Sequence, residues 1–169
     1  MLITFLFSLV PAQAQAQEAI NSFDTVITAQ KDGAMQIEEK ILYDFGSQDR
    51  HGIFRYIPLV SRVGDLYRVI NITFTDVLRD GVSEPYSLNS SGDQVEIKIG
   101  DADKTISGEH LYQINYTVRN GIGSNYDDHD EIYCNVTVNG WSVSIATASV
   151  LLRTDFGVPV GETICFTGA

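Results

Sequence analysis

The sequence predicts an all-β domain, an antiparallel β-sandwich of immunoglobulin-like general architecture, with a closed β-barrel as the alternative. Three observations carry this reading. Apolar residues recur at every second position in run after run, and turn residues separate the runs. No stretch after residue 20 shows the i, i+3, i+4, i+7 apolar stripe of a helix. With 169 residues, 44% hydrophobic and 20% charged, the chain has the length and composition of one globular domain.

The runs follow in order. Phe23, Thr25, Ile27 and Ala29 share one face, and Lys31-Asp32-Gly33 supplies a turn. Met35, Ile37, Glu39, Ile41, Tyr43 and Phe45 then face one way, against Gln36, Glu38, Lys40 and Asp44, with only Leu42 out of pattern. Together these predict a hairpin with one face on a core. Between Arg68 and Leu78, the residues Ile70, Ile72, Phe74 and Leu78 fall together, before a turn at Asp80-Gly81. Val95, Ile97 and Ile99 alternate with Gln94, Glu96 and Lys98, and residues 100–108 read as polar loop. Tyr112, Ile114, Tyr116 and Val118 form another face. Ile132, Cys134, Val136 and Val138 come next, and Asn139-Gly140 turns into Trp141, Val143 and Ile145. Seven or eight strands result, in a domain spanning residues 20–153. The tail 154–169, with Gly157, Pro159, Gly161 and Gly168, reads as a final loop or the start of a linker, so the chain looks cut short.

Residues 1–16 read as a signal peptide. Leu2 to Val10 is an apolar run of suitable length, Pro11 ends it, and Ala12-Gln13-Ala14 and Ala14-Gln15-Ala16 both fit the small-x-small cleavage rule. The run is too short to span a bilayer. No Lys or Arg precedes it, and a buried N-terminal strand or helix is the alternative reading. Export places the chain in an oxidising compartment, where Cys134 and Cys165 can pair. Such a bridge would restrict the unfolded chain by roughly 3–4 kcal/mol. Alternatively one is a buried free thiol and the other pairs outside this sequence.

The net charge of −11 argues against nucleic acid and anionic membrane surfaces as partners, because eleven scattered basic residues make no counterion-displacing face. Its ordinary role is solubility. No zinc spacing occurs, and the acidic run lacks the pattern of a calcium loop, so neither metal nor cofactor is expected. The G-x-S-x-G elbow, P-loop, H-E-x-x-H and dinucleotide fingerprint are all absent.

Three segments place polar residues against the pattern. Glu39 sits on an apolar strand face between Ile37 and Ile41, where an unpartnered carboxylate costs several kcal/mol, so it must be paired or lie at the sheet's end. The loop His51 to Pro58 (HGIFRYIP) has Gly52 and Pro58 to fix its backbone and Ile53, Phe54 and Ile57 to anchor it, which gives Arg55 a defined direction. The third is the acidic run Asp127-Asp128-His129-Asp130-Glu131. One reading joins these as a single polar site, with Arg55 facing Glu39 or Glu131 and His51 or His129 titrating. The other is a buried structural ion pair beside a solvated acidic loop. Trp141 is either a sugar-stacking platform or core.

The stretches SFDTVITAQKDGAMQIEEKILYDF, HGIFRYIP, KIGDADKTISGEHLYQINYTVRNG, DHDEIYCNVTVNGW and CFTG, in this order, resemble the predicted-membrane-protein family known as domain of unknown function 2207. The resemblance covers most of residues 22–168. It implies a signal peptide, an extracytoplasmic β domain, then transmembrane helices that this chain lacks, so membrane contact would run through absent segments. The family pattern has Trp where Cys134 stands, and the resemblance places the partner of Cys165 further downstream. It implies no activity and no catalytic residue. It does put emphasis on Glu39, His51, Gly52, Arg55, Pro58, Asp130, Glu131 and Trp141. The function expected is an extracytoplasmic binding domain for a protein or glycan of the cell envelope. The alternatives are a cell-envelope hydrolase using the Glu/Asp/His/Arg cluster, or a structural spacer.

Overall fold

In a computed structural model describing residues 17–63, 66–124, 127–137 and 140–164, the period-2 runs become strands. The expected hairpin is β1 (Ala19–Ala29) and β2 (Met35–Asp44). Then come β3 (Ile53–Pro58), β4 (Val60–Val63), β5 (Leu66–Val69), β6 (Asn71–Arg79) and β7 (Val82–Ser83). They are followed by β8 (Tyr86–Ser91), β9 (Gln94–Ile99) and β10 (Glu109–Arg119). The last are β11 (Ile122–Gly123), β12 (Glu131–Ile132), β13 (Ser144–Ile145) and β14 (Ala148–Thr154). No helix occurs among the described residues.

The larger sheet runs β1, β2, β10, β6, β7, with β13 and β14 both lying along the outer edge of β1. The smaller sheet runs β3, β9, β8, and two ribbons, β4 with β5 and β11 with β12, complete the fold. None of these sheets closes on itself, so the architecture is the sandwich and not the barrel. Alternation explains the layers. Along β2, Met35, Ile37, Glu39, Ile41 and Tyr43 are buried and the residues between them are not. Phe23 and Ile27 of β1, and Tyr112, Ile114, Tyr116 and Val118 of β10, join the same core. Ile53 and Ile57 of β3 and Val95, Ile97 and Ile99 of β9 supply the facing layer. Each fully buried large side chain is worth about 1.5–3 kcal/mol relative to exposure.

Four expectations need correction. The run Arg68 to Leu78 is broken at Ile70, and a bulge leaves Thr75 without a partner, since Asn115 pairs with Asp76 but Tyr116 with Phe74. The bulge shifts the alternation, so Val77 is buried where Leu78 was expected. The segment 53–58 is a strand and not a loop, and its Phe54 is 46% exposed, not an anchor. The strand expected from Ile132 to Val138 stops at Ile132, with the turn residue Asn139 outside the described residues. Finally, the seven or eight strands expected become fourteen among the described residues, including β14, which pairs with β1 in parallel, from Phe23 opposite Ala148 to Ala29 opposite Thr154.

Candidate functional site

Glu39 is inward because it holds an odd place in the alternation of β2, and Arg55 is inward because it sits between Ile53 and Ile57 in β3. The two strands belong to opposite sheets, so the side chains meet across the core. Arg55 Nε donates to Glu39 Oε2 at 2.8 Å and Nη2 to Oε1 at 2.7 Å, a bidentate pair with Glu39 1% and Arg55 2% exposed. Tyr116 Oη donates to Glu39 Oε1 at 2.7 Å. The Arg55 guanidinium also lies 5.2 Å from the centre of the Phe23 ring.

A guanidinium has five N–H donors, and the remaining three reach backbone carbonyls. Nη1 donates to Tyr56 O at 2.8 Å and to Thr137 O at 3.4 Å, and Nη2 donates to Val136 O at 3.0 Å. Arg55 therefore holds Val136 and Thr137, in the irregular segment after β12, by their backbone carbonyls. Trp141 follows the same logic: its indole Nε1 donates to Thr137 O at 3.0 Å, and its ring packs edge-on against Phe23 at 6.1 Å and tilted against Tyr43 at 6.4 Å. It is a half-buried wall of the core.

Electrostatics agree with a structural clasp. Burial works against the Arg55 charge, but Glu39 outweighs it and holds the guanidinium above its ordinary pKa. Burial first, then the Glu39 charge, push the Tyr116 phenol well above the ordinary range. Cys134 is an exposed residue without a disulfide, yet desolvation and the Glu39 charge raise its thiol, against an opposing effect of Arg55. The second cysteine of the expected bridge, Cys165, lies outside the described residues, as does the segment 1–16.

The other expected site residues lie elsewhere. His51 is exposed two residues before β3, its Nδ1 2.8 Å from Lys104 O. Asp128, His129 and Asp130 are exposed, with His129 Nδ1 2.7 Å from Asp128 Oδ1. Glu131 is half-buried in β12 opposite Gly123. All five Arg55 donors go to Glu39 and to backbone, so Arg55 pairs with Glu39 and not with Glu131. Along the chain, the acidic run leads to the clasp through Val136 and Thr137, whose carbonyls Arg55 reaches. Among the described residues, no group of three or more His, Cys, Asp or Glu is arranged to hold a metal ion.

Three features lie outside the site expected from the sequence. Tyr116 shares the inward face of β10 and completes the clasp, a placement its alternation allows. A second polar cluster stands near the Asp80 turn, where Arg79 Nη2 meets Glu84 Oε2 at 3.1 Å and His110 Nδ1 meets Asp80 Oδ2 at 2.7 Å. On the outer face of the larger sheet, an open hollow of about 410 Å³ is lined by Thr28, Gln36, Glu38, Asn115, Thr117 and Arg153.

Residues 19–157 match the family model described as Predicted membrane protein (DUF2207) N-terminal domain. The chain belongs to this family. A DUF2207 relative in Escherichia coli strain K12, the uncharacterized protein YciQ, is 32% identical over 158 residues, covering 90% of this chain. The chain spans about a quarter of that relative's length (25%). The whole clasp lies within the DUF2207 match. Solved structures with a partial likeness include an M1 zinc metallopeptidase from Deinococcus radiodurans, 8% identical with a TM-score of 0.38, covering 59% of this chain and 20% of that one. Native leukotriene A4 hydrolase from Saccharomyces cerevisiae is also 8% identical, with a TM-score of 0.41, covering 59% of this chain and 15% of that one. Neither likeness bears on the activity of this DUF2207 domain.

Proposed function

We propose that the chain is an extracytoplasmic interaction domain of a membrane-anchored protein, which binds a protein or glycan of the cell envelope and turns nothing over. The observation that carries this reading is the enclosure of Glu39 and Arg55. The carboxylate best placed by sequence for acid–base work is consumed in holding two sheets together, out of reach of a substrate. The candidate carboxylates Asp128 and Asp130 are exposed to solvent. The polar hollow on the outer sheet face, rich in amides and hydroxyls, suits hydrogen bonding to a glycan or an extended peptide. Membership of a predicted membrane-protein family supports the tether, and the apolar run Leu2 to Val10 supports export.

Two measurements test this. Alkaline phosphatase fused after Ala169 of the full chain is expected to be active in cells, since it folds only outside the cytoplasm, and an inactive, stable fusion overturns the export. Purified chain is expected to bind cell-envelope glycan or protein arrays without cleaving glycan, peptide or ester panels. Turnover that disappears in Glu131→Gln overturns the binding reading in favour of the hydrolase.

A further inference from the structure

We propose that the exported chain begins at Gln17 and that this residue closes to pyroglutamate, a modification that rests on the export reading above. The sequence around the cleavage region is Ala12-Gln13-Ala14-Gln15-Ala16-Gln17-Glu18. Signal peptidase cuts after a small residue, and in this run every alanine is followed by glutamine. Either small-x-small site therefore leaves an amino-terminal Gln.

With the leader ending at Ala16, the chain begins one residue before a fixed point of the fold. Glu18, the next residue but one, is already clamped to the domain. Its Oε1 accepts Arg50 Nε at 2.7 Å and Nη2 at 2.6 Å, and its Oε2 accepts the hydroxyl of Tyr43 at 2.9 Å. The Tyr43 side chain is buried, and β1 starts one residue later with Ala19 opposite Asp44. Gln17 itself is exposed. A chain cut after Ala16 thus presents one free residue, with amine and side-chain amide both in water and a fixed point immediately behind them.

The closure is intramolecular and needs no co-reactant. The α-amino nitrogen attacks the Gln17 side-chain carbonyl carbon and forms the N–Cδ bond of a five-membered lactam. The Cδ–Nε2 bond breaks, and the side-chain nitrogen leaves as ammonia, taking up the proton released from the amine. The product has no ionisable amino terminus. This matters locally, because an α-ammonium group beside Glu18 would compete with Arg50 for the same carboxylate. After closure Arg50 is the cation that Glu18 holds, and the terminus offers no free amine to an aminopeptidase.

The test is the intact mass and amino-terminal peptide sequence of the full chain, produced with its own leader and recovered from the extracytoplasmic fraction. The expected species starts at residue 17 and is lighter than the encoded chain by one ammonia. Gln17→Ala should be cut at the same bond and show no ammonia loss. A chain starting at Gln17 with a free amine, both fresh and after prolonged incubation at neutral pH, overturns the modification while leaving export standing. A pyroglutamate at residue 15 overturns the assignment to Gln17. A chain that retains Met1 overturns the export reading itself.

Discussion

Glu39 and Arg55, sixteen residues apart, join the two sheets of the sandwich through paired N–H···O bonds of 2.7 and 2.8 Å in a site almost closed to water. The same guanidinium reaches the carbonyls of Val136 and Thr137. One side chain therefore couples three parts of the chain: β2, β3 and the irregular segment after β12.

Removing one partner should hurt more than removing both. Arg55→Met leaves a buried carboxylate without its cation, at an expected loss of about 3–5 kcal/mol in unfolding free energy. Glu39→Met combined with Arg55→Met should recover most of that loss, because two unbranched apolar chains fill the space without a charge. Urea denaturation of the three proteins checks this, and a single-variant loss below about 1 kcal/mol contradicts the clasp.

The double variant should still release the segment that Arg55 holds. Trp141 is the chain's one tryptophan, so its emission reports on the packing of its own ring against Phe23 and Tyr43. A red-shifted emission is expected in the double variant even where global stability has returned. Unchanged emission would mean that the segment stays in place without the guanidinium.

Gly52 and Gly100 approach each other's strands too closely for a side chain. A Cβ on Gly52 would stand 1.9 Å from Ile99 O, and one on Gly100 would stand 1.9 Å from His51 O. Both also have φ beyond +130° (138° and 135°). Gly52→Ala should therefore destabilise by more than about 3 kcal/mol. Gly81→Ala is the control: its φ is also positive, but nothing lies within 4 Å, and about 1–2 kcal/mol is expected. Equal losses by thermal denaturation would refute the close approach.

Alkaline pH should unfold the domain through its buried tyrosines. Burial raises Tyr43, Tyr112 and Tyr116 above their ordinary pKa, the first and third with added help from Glu18 and Glu39. Above the unfolded value of about 10, the unfolded chain releases protons that the folded chain keeps, so stability falls as pH rises. Below that value the contribution is complete. Tyr116→Phe should flatten the decline between about pH 10 and 11.5, while losing a charge-assisted bond of roughly 1.5–3 kcal/mol at neutral pH. An unchanged slope in denaturation midpoints across that range would count against it.

The inward faces of β1, β2, β9 and β10 were legible because half-buried strands write their burial at period two. Glu39 stood out for the same reason, as a carboxylate in an apolar register that demanded a partner. Arg55 was equally legible in principle, since Ile53, Arg55 and Ile57 alternate, but the flanking Gly52 and Pro58 made the segment look like a loop. The alternation from Ile132 to Val138 is real in sequence and misleading in structure. The carbonyls of Val136 and Thr137 are taken by Arg55 and the Trp141 indole, a demand that no local pattern encodes. β14 was invisible because Val150, Leu151 and Leu152 are apolar without alternation, on an edge where Val150 and Leu151 stay about half exposed (49% and 54%).

The parallel partnership of β1 with β14 sets a timetable for assembly. Ser149 bonds to Asp24 across 125 positions of sequence, so the first strand made waits for the last. Until then one side of β1 presents bare N–H and C=O groups, with Val26 and Ile27 alongside. Such an edge is the template on which chains pair wrongly with one another. Contacts this distant also slow the search for the native state. A form ending before Ala148 would leave β1 bare from Phe23 to Ala29, so the stretch Ala148 to Thr154 carries the sheet's edge outward, away from the strand that lines the core.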